Sequence, residues 1–465
     1  MECNDTGRYS TLPFDEKGIR NYVCDAYVIC GSSVVCYTTN KLCVAYTGLP
    51  TLYLGTNDAQ SSITKEKYVS LTNFKLVDTA GGITDSSKTK GEKIKGRGNT
   101  SWDFPKKGYN IKFEKKTAVL GMSQAKKWSI VSNYLDKSQM RNVLASYLGN
   151  EIFIETDNPE WKPNYRYVDV IWNGQYQGIY TIVESIQING NRIDVEDISE
   201  LFESSPLDNY SGNGSDLNAL ISSGYFDVSK AGFVLEVDTR KDATYVFTSA
   251  LGLPMCLKDP DFDDYTNTQA QLAVTFMRNK INAFESFLTS KYSTATLEEW
   301  SQYIDVDSFV NWFLVEDFTK SVDANFWTSV YLYYNPNDGL IHMGPDWDFD
   351  RCIGSESRDG NTSGYYIDTH QGSWPSWYEY LIKSPAFKNA VKTKWNENKD
   401  DLYDKINAFM ESKKAEISTA IILDSKKWNR LGQDANSILQ NLTTEMNSML
   451  TWMQARINWY NNEFK

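Results

Sequence analysis

The chain has 465 residues, 41% hydrophobic and 23% charged, with a formal net charge of −13. That is ample material for a large core, and too acidic a balance for a non-specific nucleic-acid binder. Two histidines, His342 and His370, leave little room for Ser-His-Asp or Cys-His catalysis or a zinc site of several histidines, and no apolar run of eighteen residues predicts a membrane span.

Residues 1–47 hold five of the seven cysteines, Cys3, Cys24, Cys30, Cys36 and Cys43, in polar, weakly periodic sequence. Cysteines clustered this way, without a CxxC pair or a nearby histidine, predict a small disulfide-bearing module of a secreted protein. Met1-Glu2-Cys3 opens without an apolar h-region, so either the signal of a secreted chain has been removed, which is the expectation, or the chain is cytosolic. From residue 49 the pattern turns to strands: 49–54, 109–113, 128–132, 167–172, 176–184 and 232–237. Asn173-Gly174 between two of them is a two-residue hairpin signal. A helix is predicted over 136–148, and residues 203–224, rich in Ser, Gly and Asn, read as a long loop. Beyond 265 apolar residues recur at i, i+3, i+4, predicting helices over 269–289, 307–316, 387–412 and 437–464. A hairpin, 330–334 with 341–343, interrupts them. The organisation expected is a cysteine-rich segment (1–47), a β-rich region (48–240) and a mostly helical region (241–465): an α+β fold of two lobes.

Charge is segregated along the chain. Residues 93–127 carry ten Lys or Arg and two acids, whereas residues 304–350 carry nine acids and one Lys. A basic β region facing an acidic helical one suits a nucleoside triphosphate with divalent cations, because lysines neutralise phosphate oxygens and carboxylates hold the bridging metals. The acidic segment contains Asp323, then the hairpin, then Gly344-Pro345-Asp346-Trp347-Asp348-Phe349-Asp350. On an extended backbone Asp348 and Asp350 share one face, with Phe349 on the other. Protein kinases use this order: an Asp that accepts the substrate hydroxyl proton, a hairpin, then an Asp that binds metal. The bland alternative makes all three turn or capping residues. A glycosidase using paired carboxylates is also conceivable, but neutral sugars have no need of the 93–127 basic cluster.

Several stretches together resemble the spore coat protein H (CotH) kinase family, over roughly residues 49–465. They are Gly96-Arg97-Gly98-Asn99-Thr100-Ser101-Trp102 with 105–113 after it, Asn133 through Asn142, Asn173 through Tyr180, Gly232-Phe233-Val234-Leu235-Glu236, Lys320-Ser321-Val322-Asp323-Ala324, and 344–350. The resemblance implies an atypical, secretory-type protein kinase that uses ATP and Mg2+ or Mn2+ to phosphorylate Ser or Thr of protein substrates. Some relatives act with extracellular carbohydrate-degrading assemblies. Carried over residue by residue, Asp323 is the catalytic carboxylate and Asp348 and Asp350 form the metal-binding pair, with Asn325 either a second-metal ligand or a cap.

Arg97, Lys107 and Lys112 are candidates for phosphate contact. Alternation puts Lys112 opposite Tyr109, Ile111 and Phe113, so it is either a phosphate ligand or a solvated edge residue. Gly96 and Gly98 would let backbone approach phosphate. Arg141 either reaches phosphate or caps a carboxylate, and Glu184 would be the first residue of a hinge that hydrogen-bonds adenine. Arg351, where many relatives carry small or apolar residues, is expected beside Asp350, weakening metal binding there. The competing function is a kinase-shaped, inactive adhesion or carbohydrate-associated protein, motivated by the 14% aromatic content.

Overall fold

Apolar and polar residues alternate along several strands of the largest sheet, and helices of 3.6-residue periodicity pack against both it and a five-stranded sheet. A computed structural model describes residues 19–30, 33–45, 47–79, 83–85, 91–154, 160–198, 227–260, 267–369 and 373–465. β1 (Ile19–Cys30) and β2 (Ser33–Ala45) pair antiparallel as a sheet of their own, where the sequence suggested weakly periodic chain. The leader's cysteine side chains, the disulfide expected among them, and the 203–224 loop lie outside the described residues. Cys256 and Cys352 are buried and unpaired.

The nine strands β3 (Thr51–Gly55), β4 (Val69–Ser70), β5 (Asn73–Val77), β6 (Ile83–Asp85), β7 (Lys93–Arg97), β8 (Gly108–Val119), β9 (Met122–Val131), β10 (Tyr165–Trp172) and β11 (Gln175–Glu184) form one sheet, ordered β4-β7-β8-β9-β11-β10-β3-β5-β6. Asn173 and Gly174 turn between β10 and β11 with positive φ, as a two-residue hairpin requires. One face of this sheet closes over its own core of Leu52, Phe74, Ile94, Tyr109, Ile111, Phe113, Trp128, Ile130 and Trp172. β11 is buried on both faces: Tyr180 and Ile182 enter that core, while Ile179 and Val183 enter the larger core shared with the helices. A second sheet, β13-β14-β12-β15-β16, comprises β12 (Phe233–Val237), β13 (Val246–Thr248), β14 (Pro254–Asp259), β15 (Val330–Asn335) and β16 (Leu340–Met343).

The helices are α1 (Arg141–Tyr147), α2 (Asn267–Lys291), α3 (Leu297–Trp300), α4 (Val306–Thr319), α5 (Tyr378–Leu381), α6 (Pro385–Asn398), α7 (Leu402–Ile417), α8 (Ala420–Trp428) and α9 (Ala435–Glu463). The fold is α+β, with a β-rich N-terminal lobe and a largely helical C-terminal lobe. Two helices depart from expectation. The helix expected over 387–412 is two, because the chain breaks at 399–401, where Asp401 takes φ +56°. α1 starts at Arg141 rather than 136, because the Asp136 carboxylate draws in the backbone N–H groups of Ser138 (3.0 Å) and Arg141 (2.8 Å) as a turn. α4 is placed by its ends: Asp305 caps it by accepting from Ser308 N–H at 2.7 Å, and Lys320 closes it at φ +50°. That stop releases the chain into the turn bearing Asp323.

Candidate active site

Strand alternation that sends Ile94, Tyr109, Ile111, Phe113, Trp128 and Ile130 into the sheet's core leaves the intervening side chains on the opposite face. Lys95 and Arg97 of β7, Asn110 and Lys112 of β8, and Lys127 and Ser129 of β9 line one wall of a cleft of about 830 Å3. Register places Lys112 directly opposite Lys93 on one side and Lys127 on the other. Like charges opposite one another across strands are destabilising, so this row is a surface that an anion would relieve.

The facing wall is acidic. Asp323, Asp348 and Asp350 line the cleft with Glu236, Asp238 and Asp259 from the second sheet. Among the described residues eight Lys or Arg and eight Asp or Glu face this space. Backbone bonds lace the Asp323 turn to the Asp350 loop: Val322 N–H to Arg351 C=O at 3.0 Å and Ile353 N–H to Thr319 C=O at 2.9 Å. Asp348 has φ +68°, a left-handed conformation uncommon for a residue other than glycine, and its Oδ2 accepts from Ser329 Oγ at 3.2 Å. Burial, then Asp348, pushes Asp323 up to about 6, against Arg351 and Arg240. Burial, then Asp348 and Asp323, holds Asp350 well above the usual carboxylate range. Asp323, Asp348 and Asp350 are not a single ligand sphere: the one set of three His, Cys or carboxylate donors within 4.8 Å of one another among the described residues lies elsewhere.

The remaining candidates scatter. Arg97 lies on the wall, its guanidinium 5.4 Å from the Trp347 ring centroid. Lys112 is exposed and faces the cleft. Lys107 does not line it; its ammonium donates to the Trp102 carbonyl and sits 4.5 Å from that indole's centroid. Arg141 is buried, paired with Asp136 at 2.6 Å and donating to the Cys352 carbonyl at 2.8 Å. It reaches no cleft surface, but it braces the loop after Asp350. Asn142 Oδ1 holds the residue before Asp350, accepting from Phe349 N–H at 2.9 Å. Glu184 is buried and accepts from Asn164 N–H (3.1 Å) and Nδ2 (3.0 Å), while the next residues, Ser185 and Ile186, line the cleft. Asn325 is buried away from the lining. Arg351 turns to Glu356, 2.6 Å, and stands 3.7 Å from Asp323, rather than pairing with Asp350 as the sequence suggested. A Cβ on Gly96 would strike the Trp102 ring at 2.3 Å, so that glycine makes room for an indole and not for phosphate.

Sequence reasoning missed Glu236, Asp238, Arg240 and Lys258. Glu236 is buried, accepts from Ser329 N–H at 3.0 Å and pairs with Lys258 at 3.1 Å. Asp238 accepts from Thr328 Oγ1 at 2.9 Å. The available signal was two acids two residues apart in a strand otherwise wholly apolar, Phe233-Val234-Leu235-Glu236-Val237-Asp238.

A family model described as CotH kinase protein matches residues 94–460, a span that includes the basic wall and every carboxylate named above. The chain belongs to this family. No curated protein matches it. Membership of the CotH kinase family makes this a kinase-type chain and the cleft its candidate active site; such families use ATP and a divalent metal in general. The acidic corner fits such an ion chemically: mutually repelling, partly desolvated carboxylates are hard oxygen donors whose charge a cation offsets. Among the described residues, no helix is long and apolar enough to cross a membrane, and Tyr53 is the one aromatic among the exposed large hydrophobics. Many of the described aromatics pack in the two cores.

Proposed function

We propose that the cleft binds ATP with Mg2+ or Mn2+ and transfers the γ-phosphoryl group to Ser or Thr hydroxyls of secreted or surface proteins. The observation that carries this reading is the convergence of Asp323, Asp348 and Asp350 on one side of a cleft whose other side carries Arg97, Lys112 and Lys127. Arg97 and the lysine row would hold the phosphates, and Ser185 and Ile186 would border the base. Asp348 and Asp350 would hold the metal, whose charge would offset that of the phosphates. Asp323 would orient the acceptor hydroxyl and take its proton as that oxygen bonds to phosphorus and the bond to the β–γ bridging oxygen breaks, leaving ADP. With its carboxyl at about 6, Asp323 is ionised at neutral pH and still basic enough to accept a proton.

The twofold positive surround of Asp323, Arg351 and Arg240, lowers its affinity for protons and keeps it from remaining neutral despite burial. Secretion rests on the cysteine-rich leader alone, and a carbohydrate-degrading assembly as partner gains no support from the cleft. The test is incubation with labelled ATP and Mg2+ or Mn2+, following label into the chain itself or a generic Ser/Thr substrate. Transfer that needs the metal and is lost in Asp323→Ala supports the reading, whereas no transfer and no nucleotide binding with either metal refutes it.

A further inference from the structure

Outside the cleft described above, a second cavity of about 840 Å3 is lined by Glu160, Asp305, Asp338, Tyr333 and His342. Glu160 Oε1 lies 2.5 Å from His342 Nδ1, and Asp305 Oδ1 lies 3.9 Å from the same nitrogen. One donor atom from each of Glu160, Asp305 and His342 falls within 4.8 Å of the others. An imidazole, itself only 6% exposed, separates this set from an ordinary patch of surface acids.

Each donor is oriented by its own outer partner. Tyr333 Oη donates to Glu160 Oε1 at 2.8 Å. Ser308 N–H donates to Asp305 Oδ1 at 2.7 Å. His342 Nε2 meets Asp338 Oδ2 at 2.9 Å, and the Tyr333 ring stacks on the imidazole at 4.8 Å between centroids. A carboxylate on the far nitrogen fixes the tautomer that frees Nδ1 for a metal, an arrangement typical of metal-bound histidines. The supports are rigid: His342 sits in β16, Asp305 is the cap of α4 and Tyr333 lies in β15.

We propose that Glu160, Asp305 and His342 Nδ1 form a transition-metal site, with Zn2+ the ion that one nitrogen and two carboxylate oxygens fit best, water completing the shell. Imidazole selects zinc over Mg2+ and Ca2+, which take oxygen donors. The metal enters between Glu160 Oε1 and His342 Nδ1, which lie 2.5 Å apart. The site clamps the 160–162 segment to the β15–β16 hairpin. Lys162 of that segment lies 3.1 Å from Asp346, two residues before Asp348, so the clamp supports the acidic loop from behind without touching substrate.

The experiment counts zinc equivalents retained by the full chain after equilibrium dialysis, in the wild type and in Glu160→Gln, Asp305→Asn, His342→Gln and Glu411→Gln. Gln at 160 keeps an acceptor for Tyr333, and Asn at 305 keeps the helix cap, so these two decide the matter if His342→Gln fails to fold. Leader cysteines are common to every variant and cancel. The expected result is one equivalent fewer in each of the first three, with Glu411→Gln, at an exposed helical position outside both cavities, unchanged and an excess of Mg2+ failing to displace the ion. Equal zinc content in the wild type, Glu160→Gln and Asp305→Asn overturns the proposal, as does displacement by Mg2+. Neither outcome depends on kinase activity.

Discussion

Lys106 offers the sharpest test of how the two lobes are joined. It precedes β8, is fully buried, and its ammonium bonds Asp424 Oδ1 of α8 at 2.7 Å and the Ile179 carbonyl of β11. Asp424 Oδ1 also accepts from Ile179 N–H at 3.0 Å, and Oδ2 has no hydrogen-bond partner. Burial pulls Lys106 down to about 8, although Asp424 pulls the other way. Against its ordinary 10.5, at 1.36 kcal/mol per pKa unit, keeping this lysine charged at neutral pH costs about 3 kcal/mol. The folded state binds fewer protons than the unfolded between about 8 and 10.5, so this group makes stability rise with pH across that window and contributes no slope below it.

Lys106→Met removes that cost but leaves a buried carboxylate with one backbone N–H, and breaking a buried pair from one side costs about 3–5 kcal/mol. Urea denaturation at neutral pH should show a loss of that order. Lys106→Met with Asp424→Asn should recover most of it, because the amide oxygen still accepts from Ile179. The rise in stability above pH 8 should be smaller in Lys106→Met than in the wild type. A single-variant loss below about 1 kcal/mol would refute the buried-pair account.

Two further outcomes follow from the cleft. The transfer rate should fall below about pH 6 as Asp323 takes up its proton, and Arg351→Gln, removing a charge that holds that pKa down, should move the falling limb to higher pH; an unmoved limb would remove Arg351 from the site's electrostatics. Arg141→Met should cost about 3–5 kcal/mol, because Asp136 stays buried and unpaired, and should lower kcat more than nucleotide affinity, since Arg141 braces the Cys352 carbonyl without lining the cleft; a stability change within about 0.5 kcal/mol would mark the bracing as incidental.

Much of the architecture was legible because it follows from period. The β10–β11 hairpin announced itself through Asn173-Gly174, and the alternation of Tyr109, Ile111 and Phe113 correctly set Lys112 on the opposite face. The order of Asp323, hairpin, Asp348 and Asp350 was enough to bring those carboxylates to one place. What the sequence concealed is partnership. Ten cations in 93–127 looked like a single basic surface, yet Lys106 is spent on Asp424, Lys107 on Trp102, and Lys115 and Lys116 are exposed away from the cleft lining. The acids of 304–350 divide likewise: Asp317 is buried against Arg456 at 2.5 Å, and Asp305 and Asp338 surround His342. Local charge density does not say which partner arrives from 318 or 139 residues away, and neither Asp424 nor Arg456 belongs to any recognisable motif. Glu236 and Asp238 were hidden differently, as polar residues in a strand whose apolar character made it read as pure core.

If the three carboxylates of the cleft divide the work as proposed, nucleotide affinity measured beside transfer rate in Asp323→Ala, Asp348→Ala and Asp350→Ala separates their roles. Asp323→Ala is expected to abolish transfer and leave metal-dependent ATP binding nearly intact, because it would touch the hydroxyl and not the ion. Asp348→Ala and Asp350→Ala are expected to weaken ATP binding itself, through loss of the cation that offsets the triphosphate. Full transfer by Asp323→Ala, or unchanged ATP affinity in both of the other variants, would contradict the account.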